Sequence, residues 1–413
     1  MHLSARPLIA FALAAATPVT LVQAAPAEAP TPAPQAAEVP PDPVVLMREH
    51  WLDADVSAFN FRHSAELFST RPVRHGASVR PLVAGSRWSP PGYTIGGQTR
   101  DYETFARRTY TNAVLVLRDG KILFEDYRNK SGPQDRFISF SMAKSITGLM
   151  VGFALAEGRI ASLDDPVSRY LPELGEGAYG QATIRHLLQM RSGVAYEERY
   201  DFGANPSLAA LIHRNAIVLN RERFADRART IASAAAPGAR FNYATLDTAV
   251  LGLLVERVTG QSLADYTESR LWRPAGMADD AFWIADGQPG TGRELAGMGF
   301  NATLRDYGRL GQLLLDRGRR DGRAIIPAGW VEQATRMITF DTPTPFGGRG
   351  YGYQFWQLDD EPGAFVALGL AGQFIYVHPA SRTVIVKLSH FPLPEPPGVM
   401  AETLAWFHAV VRQ

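Results

Sequence analysis

Strand-forming sequence occurs in two blocks separated by a long stretch of helical pattern, and this separation restricts the folds open to the chain. The first block, NAVLVLRDGKILFEDY, reads as a hairpin. Ala113–Leu117 and Ile122–Tyr127 are the strands, and Asp119-Gly120 supplies the tight turn. The second block holds four runs of strand character, Gly352–Gln357, Ala364–Leu368, Gln373–Val377 and Thr383–Leu388, before a closing helix at Val399–Arg412. Between them lie helical candidates at Ser141–Glu157, Ile184–Met190, Ser207–Ile217, Leu246–Val258, Leu263–Leu271 and Asn301–Asp316. Gly158 stops the first of these, and Pro and Gly punctuate the others. Sequential strands with short links favour antiparallel pairing. The expected fold is α/β in the α+β sense: an antiparallel sheet with flanking terminal helices, built from both ends of the chain. The sheet lobe covers about 105–140 and 345–411, with a large all-helical insertion lobe over about 141–344. Clefts between such lobes are where pockets tend to form.

The start of the chain reads differently. Arg6 precedes an apolar run from Leu8 to Val22, and small residues end at Ala24. Residues 1–24 are expected to be a cleaved secretory signal peptide, because Pro18 interrupts a run already short for a membrane span. The mature protein is then expected to be secreted or periplasmic, with no stable membrane insertion. Residues 25–43, rich in Ala and Pro, read as a tether. Residues 44–104 read as an N-terminal wrapping extension, with a short helix near Val44–Leu52. Lys and Arg number 42 against 41 Asp and Glu, so no strong field favours nucleic acid as a partner. The absence of cysteine excludes disulfides, a lipidated cysteine and a cysteine nucleophile. The nine histidines form no metal-ligating motif, and no phosphate-binding glycine loop precedes a helix, so no metal or cofactor is expected.

Three stretches can carry chemistry. FSMAKSITG places Ser141 at the start of a helix, with Lys144 three residues on and therefore on the same face. A serine hydroxyl needs a base within reach. A lysine shielded from water gives up its proton more readily. Only four lysines occur, so one standing in an apolar neighbourhood after a serine invites attention, although the spacing alone is common in helices. In PGARFNYATLD, Tyr243 precedes a helical run and either packs through its ring or moves a proton. In LGLAGQFIYVHP, Gly369 and Gly372 permit close backbone approach. The N–H of Gln373 either pairs with that of Ser141 around a tetrahedral oxyanion or belongs to an ordinary hairpin.

Taken in order, RFISFSMAKSITG, ASLDDPVSRYLPEL, TIRHLLQMRSGV, PGARFNYATLDTAVLGLLVERVTG, NATLRDYGRLGQLLLDRG and GLAGQFIYVHP resemble the serine β-lactamase and penicillin-binding-protein superfamily. The likeness covers about residues 100–411. It is closer to the class C-like branch, and there to the esterases and 6-aminohexanoate-dimer hydrolase. The resemblance implies that Ser141 is the acylated nucleophile and Lys144 its activator. Tyr243 becomes a proton relay, and the N–H groups of Ser141 and Gln373 the oxyanion hole. It also implies a small-molecule ester or amide as partner and no cofactor. Two positions depart from the family pattern. Thr245 stands where Tyr-x-Asn has asparagine, and a hydroxyl cannot supply a rigid donor and acceptor together. Leu370-Ala371-Gly372 stands where Lys-Thr-Gly or His-Thr-Gly would hold a substrate carboxylate. Both departures favour esters and linear amides, such as an aminohexanoate oligomer. The alternatives are D-alanyl-D-alanine carboxypeptidase or class C β-lactamase activity, and a non-catalytic binding protein on the same fold. Substrate contacts are expected at Thr245, Leu370 and Gly372, and at Tyr196, Glu198 and Tyr200 in the loop VAYEERYDFG.

Overall fold

The computed structural model describes residues 42–200, 203–287, 291–341, 344 and 347–413. The expected signal peptide, and the expected tether up to residue 41, lie outside the described residues.

Both strand blocks enter one nine-stranded sheet. Its central strands are β1 (Thr111–Arg118), β2 (Lys121–Tyr127), β3 (Phe365–Gly369), β4 (Gln373–His378) and β5 (Thr383–Ser389), in the order β3-β4-β5-β1-β2. All four pairings are antiparallel. The join between the two ends of the chain is β5 on β1, with Val386 opposite Leu115 and Lys387 opposite Val114. Val114, Leu115, Val116 and Leu117 are wholly buried. Burial of each such side chain stabilises by about 1.5–3 kcal/mol, an upper figure for a compact unfolded chain.

The unbroken apolar run of β1 follows from cover on both faces. On one face lie α1 (Tyr102–Arg108) and α5 (Val399–Arg412), whose Phe105 and Trp406 rings stack at 4.5 Å. Phe407 of α5 meets Phe374 and Tyr376 of β4 at 5.5 and 5.3 Å. The other face is covered by α4 (Leu304–Leu315). A Cβ on Gly308 would sit 2.4 Å from the Leu115 side chain, and one on Gly311 would sit 2.5 Å from Val384. These two glycines, three apart on one helix face, let α4 lie directly on the sheet.

The middle of the chain is not all helical, which corrects the expected insertion lobe. Ala281–Ala285 and Phe300–Ala302 are strands of a four-stranded sheet completed by Ser69–Val73 and Phe137–Ile138. Residues 301–302, read as the start of a helix, are drawn into that sheet. Thr303 then caps α4 through its side-chain oxygen. Since α4 packs on the large sheet, it belongs with the sheet lobe and not with the insertion. Two long helices dominate the rest of the middle: α2 (Met142–Ala156) and α3 (Thr245–Thr259). Gly352–Gln357 is likewise not one strand. Gln354 adopts φ +65°, accepts from Thr248 of α3 through its side chain and donates to Leu187 and Leu188 carbonyls. Its own carbonyl accepts from Ser145 of α2. A strand cannot both extend and tie two helices together at that point.

The N-terminal extension enters the core. Ser69–Val73 pairs with Ala281–Ala285, and Val83–Ala84 adds a short parallel edge to β2. Trp51 and Phe61 pack on Phe140, with ring centroids 5.4 and 4.9 Å away. Phe140 is the residue before Ser141.

Candidate active site

Ser141 is positioned from both sides. Upstream, Phe137–Ile138 is held in the four-stranded sheet, and the Ser139 N–H donates to the Phe300 carbonyl at 2.8 Å. Phe140 then takes φ +43°, a conformation rare for a bulky residue, with its ring clamped by Trp51 and Phe61. Downstream, α2 begins. Ser141 occupies the N-cap position, but its side chain makes no capping hydrogen bond. The hydroxyl is therefore left to other partners, and Ser141 is only partly buried.

The first of these partners is Lys144. Its Nζ donates to Ser141 Oγ at 2.9 Å, Thr245 Oγ1 at 2.8 Å and the Gly297 carbonyl at 2.9 Å. The side chain is 1% exposed, and burial brings its pKa from 10.5 down to about 8, against a smaller upward pull from Glu198. Three acceptors match the three protons of the ammonium. When one proton leaves, the Thr245 and Gly297 bonds can persist, and the lone pair can face the Ser141 hydroxyl. A cavity of about 20 Å³, lined by Thr245 and Gly297, lies next to this lysine and has room for about one water molecule.

The second partner is Tyr243. The side chains of Ser141 and Trp356 lie close enough to its hydroxyl to exert a downward pull on its pKa. An indole N–H can only donate, so Trp356 can serve the phenol oxygen and leave the phenol proton for Ser141. Burial, followed by the nearby charge of Glu198, raises the Tyr243 pKa well above its usual range. The phenol is thus a proton donor at neutral pH. Lys144 Nζ lies 5.0 Å from the centroid of the same ring.

Thr245 and Glu198 extend the network. The Thr245 hydroxyl accepts from Lys144 and donates to Glu198 Oε1 at 2.7 Å, while its backbone N–H donates to Glu198 Oε2 at 2.7 Å. Tyr200 donates to Glu198 Oε1 at 2.5 Å. The residue preceding α3, Ala244, offers no side-chain cap, so Glu198 supplies one from a distant loop and complements the positive helix end. Thr245, Glu198 and Tyr200 therefore form one chain of hydrogen bonds ending at Lys144. Tyr196 stands apart from it: the residue is 4% exposed and its hydroxyl makes no hydrogen bond among the described residues.

Gln373 begins β4 opposite Gly369. A Cβ on Gly369 would lie 2.2 Å from the Ser139 carbonyl and 3.2 Å from the Ser141 nitrogen, so this strand edge runs directly past the serine amide. The turn between them uses positive φ at Ala371 (+57°) and Gly372 (+82°). The Gln373 side chain braces it, donating to the Leu370, Ala371 and Ser389 carbonyls at 3.2, 3.1 and 2.9 Å. Glu395 Oε1 accepts from the Ala371 N–H at 3.2 Å. The turn thus holds a carboxylate on its backbone and has no lysine or histidine of its own.

Four participants escaped the sequence reading. Gly297 acts through a carbonyl, which no residue type signals. Glu395 lies in a proline-rich run without local pattern. Phe140 reads as an ordinary apolar residue, and its φ is invisible in sequence. Trp356, in GYQFW, was the most legible of the four, as an aromatic residue with a polar edge near the last strands.

A serine held by a buried lysine and a tyrosine, beside a sheet made from both chain ends, is the arrangement of serine hydrolases with the β-lactamase/transpeptidase-like fold. The Beta-lactamase family model matches residues 80–409, and the chain belongs to this family. It is 30% identical over 360 residues to 6-aminohexanoate-dimer hydrolase of Paenarthrobacter ureafaciens, covering 84% of this chain and 88% of that protein. It is 35% identical over 198 residues to Esterase EstB of Burkholderia gladioli, covering 44% and 49%. A solved structure from Bacillus anthracis, provisionally described as a 6-aminohexanoate-dimer hydrolase, superposes with a TM-score of 0.78 at 24% identity, covering 90% of this chain and 98% of that one. The protein is a serine hydrolase of the ester- and amide-cleaving type.

Proposed function

We propose that the protein hydrolyses small esters and linear amides through a covalent acyl-enzyme on Ser141. The observation that carries this reading is the 2.9 Å contact between Ser141 Oγ and a wholly buried Lys144. With a pKa of about 8, roughly a tenth of that amine is neutral at pH 7. Neutral Lys144 takes the Ser141 proton as Oγ attacks the carbonyl carbon. The N–H groups of Ser141 and Gln373 hold the oxyanion. Tyr243 passes its proton to the departing alkoxide or amine and is reprotonated from the Lys144 ammonium. Water then attacks the acyl carbon, its proton follows the same path in reverse, and the products are a carboxylic acid and an alcohol or amine.

Linear amides such as aminohexanoate oligomers are favoured over penicillins and D-alanyl peptides. The latter two present a carboxylate near the scissile bond, and the turn at Leu370-Ala371-Gly372 offers it no cation while Glu395 holds a carboxylate on Ala371. Short acyl esters, linear aminohexanoate amides, nitrocefin and D-alanyl-D-alanine peptides form the deciding panel. Measurable turnover is expected on the first two and little on nitrocefin. A fluorophosphonate should label the native protein and leave Ser141→Ala unmodified. Folded protein that resists labelling, or fast nitrocefin turnover, would overturn the assignment.

A further inference from the structure

A second cavity, of about 470 Å³, lies beside the site, lined by Gln189, Arg191, Arg240, Phe241, Phe340 and Tyr351 among others. This is the size of a small-molecule pocket. One of its lining rings touches the chemistry. Tyr351 packs edge-on to Tyr243 at 6.1 Å, and Phe241 stands two residues before Tyr243. Phe241 in turn meets Phe340 at 4.6 Å and Tyr351 at 5.3 Å, so one wall is continuous aromatic surface.

The charge in this cavity is unbalanced. Asp341 is its one acidic lining residue among the described residues. Neither Arg191 nor Arg240 forms an ion pair among the described residues, whereas Arg185 and Arg199 on the flanking segments pair with Asp164 and Glu197 at 2.7 and 2.8 Å. Arg191 donates to the Gly238 carbonyl, and Arg240 is exposed. The floor is rigid. The Gly238 N–H donates to the Arg191 carbonyl and the Asn242 N–H to the Met190 carbonyl, both at 2.7 Å, and Met190 itself is held at φ +54°. Two guanidinium groups beside aromatic faces suit an organic anion, since the planar fork matches a carboxylate and the rings accept a hydrocarbon body.

From this we infer that the cavity is an anion subsite for a carboxylate on an apolar chain. Its occupant is either the remote carboxylate of a substrate or the free acid released by hydrolysis. The inference rests on the ester and amide hydrolysis proposed above. It places recognition of negative charge on the Tyr243 side of the site, away from the turn at Leu370-Ala371-Gly372.

The test compares monomethyl adipate, which has a free carboxylate tail, with methyl hexanoate, which does not. In the native enzyme kcat/KM is expected to favour the acid-tailed ester. Arg240→Gln should lower that preference about tenfold through KM, Arg240→Glu further, and Arg240→Lys should restore most of it. Inhibition by hexanoate that weakens in parallel would identify the released acid as a second occupant; inhibition unaltered by the variants would restrict the cavity to substrate tails. An unchanged preference in both Arg240→Gln and Arg240→Glu overturns the subsite. If the native protein cleaves neither ester, the proposed hydrolysis is what fails for these substrates. Calorimetric titration of Ser141→Ala and Ser141→Ala/Arg240→Glu with adipate then decides the cavity on its own: binding lost with Arg240→Glu supports it, and equal or absent binding refutes it.

Discussion

Two of the lysines in this chain are fully buried, and each donates to a serine hydroxyl. Lys144 meets Ser141 across one turn of α2, and Lys387 meets Ser389 two residues along β5. Burial lowers both pKa values. The surroundings differ. Lys387 also donates to the Thr109 carbonyl and faces the rings of Phe391 and Phe105 at 4.7 and 5.7 Å. Ser389 is 1% exposed, so no carbonyl substrate can reach it. Lys144 instead has a partly exposed serine, a tyrosine that can donate a proton, and a threonine leading to a carboxylate. On the proposed function, a depressed lysine beside a serine is thus insufficient for nucleophilic chemistry. Access, and a route for the proton, distinguish the two pairs.

Replacement of each lysine tests that contrast most severely. Lys144→Met should lower kcat/KM on a short ester by about 10³-fold or more, since it removes the base from a group that acts as a unit. Thr245→Val cuts the link between Lys144 and Glu198 while keeping shape, and about a 10–100-fold loss in kcat is expected, a fraction of a full acid–base contribution. Steady-state kinetics on one ester measures both, and a fully active Lys144→Met would break the comparison.

Glu198→Gln gives a subtler effect. Activity should rise with pH as Lys144 loses its proton, with a midpoint near 8. The Glu198 charge raises that pKa, so its removal lowers it, and the rising limb of the kcat/KM–pH profile should move to lower pH. An upward shift, or none, would detach Glu198 from the lysine. The smallest effect belongs to the other pair. Lys387→Met should change turnover by less than about tenfold, because the loss is one of buried hydrogen bonding behind the turn and not of a proton acceptor. Peptide mapping after fluorophosphonate treatment should find the adduct on Ser141 and never on Ser389; an adduct on Ser389 would erase the distinction.

Much of the architecture is legible in the linear pattern. The hairpin at 111–127, the last three strands and helices α2, α3 and α5 appear where apolar periodicity and turn residues place them. The failures share one cause. Phe300–Ala302 and Ser69–Val73 are short segments whose strand character comes from partners far along the chain, and Gln354 breaks a strand because two helices claim its hydrogen bonds. Likewise Ser141, Lys144 and Tyr243 stand out by residue type and family likeness. Glu198 as the remote cap of α3, Glu395 on the turn, and Arg191 and Arg240, which form no ion pair among the described residues, do not.

The sequence by itself determined what is local: which segments are helix or strand, and that Ser141 and Lys144 share a helix face, because backbone geometry fixes neighbours three residues apart. Only the tertiary structure decided which of two Ser/Lys pairs keeps its serine partly exposed, how dry each lysine is and which distant carboxylate tunes it. Desolvation and charge–charge interaction act through space, and they depend on distances that chain order does not encode.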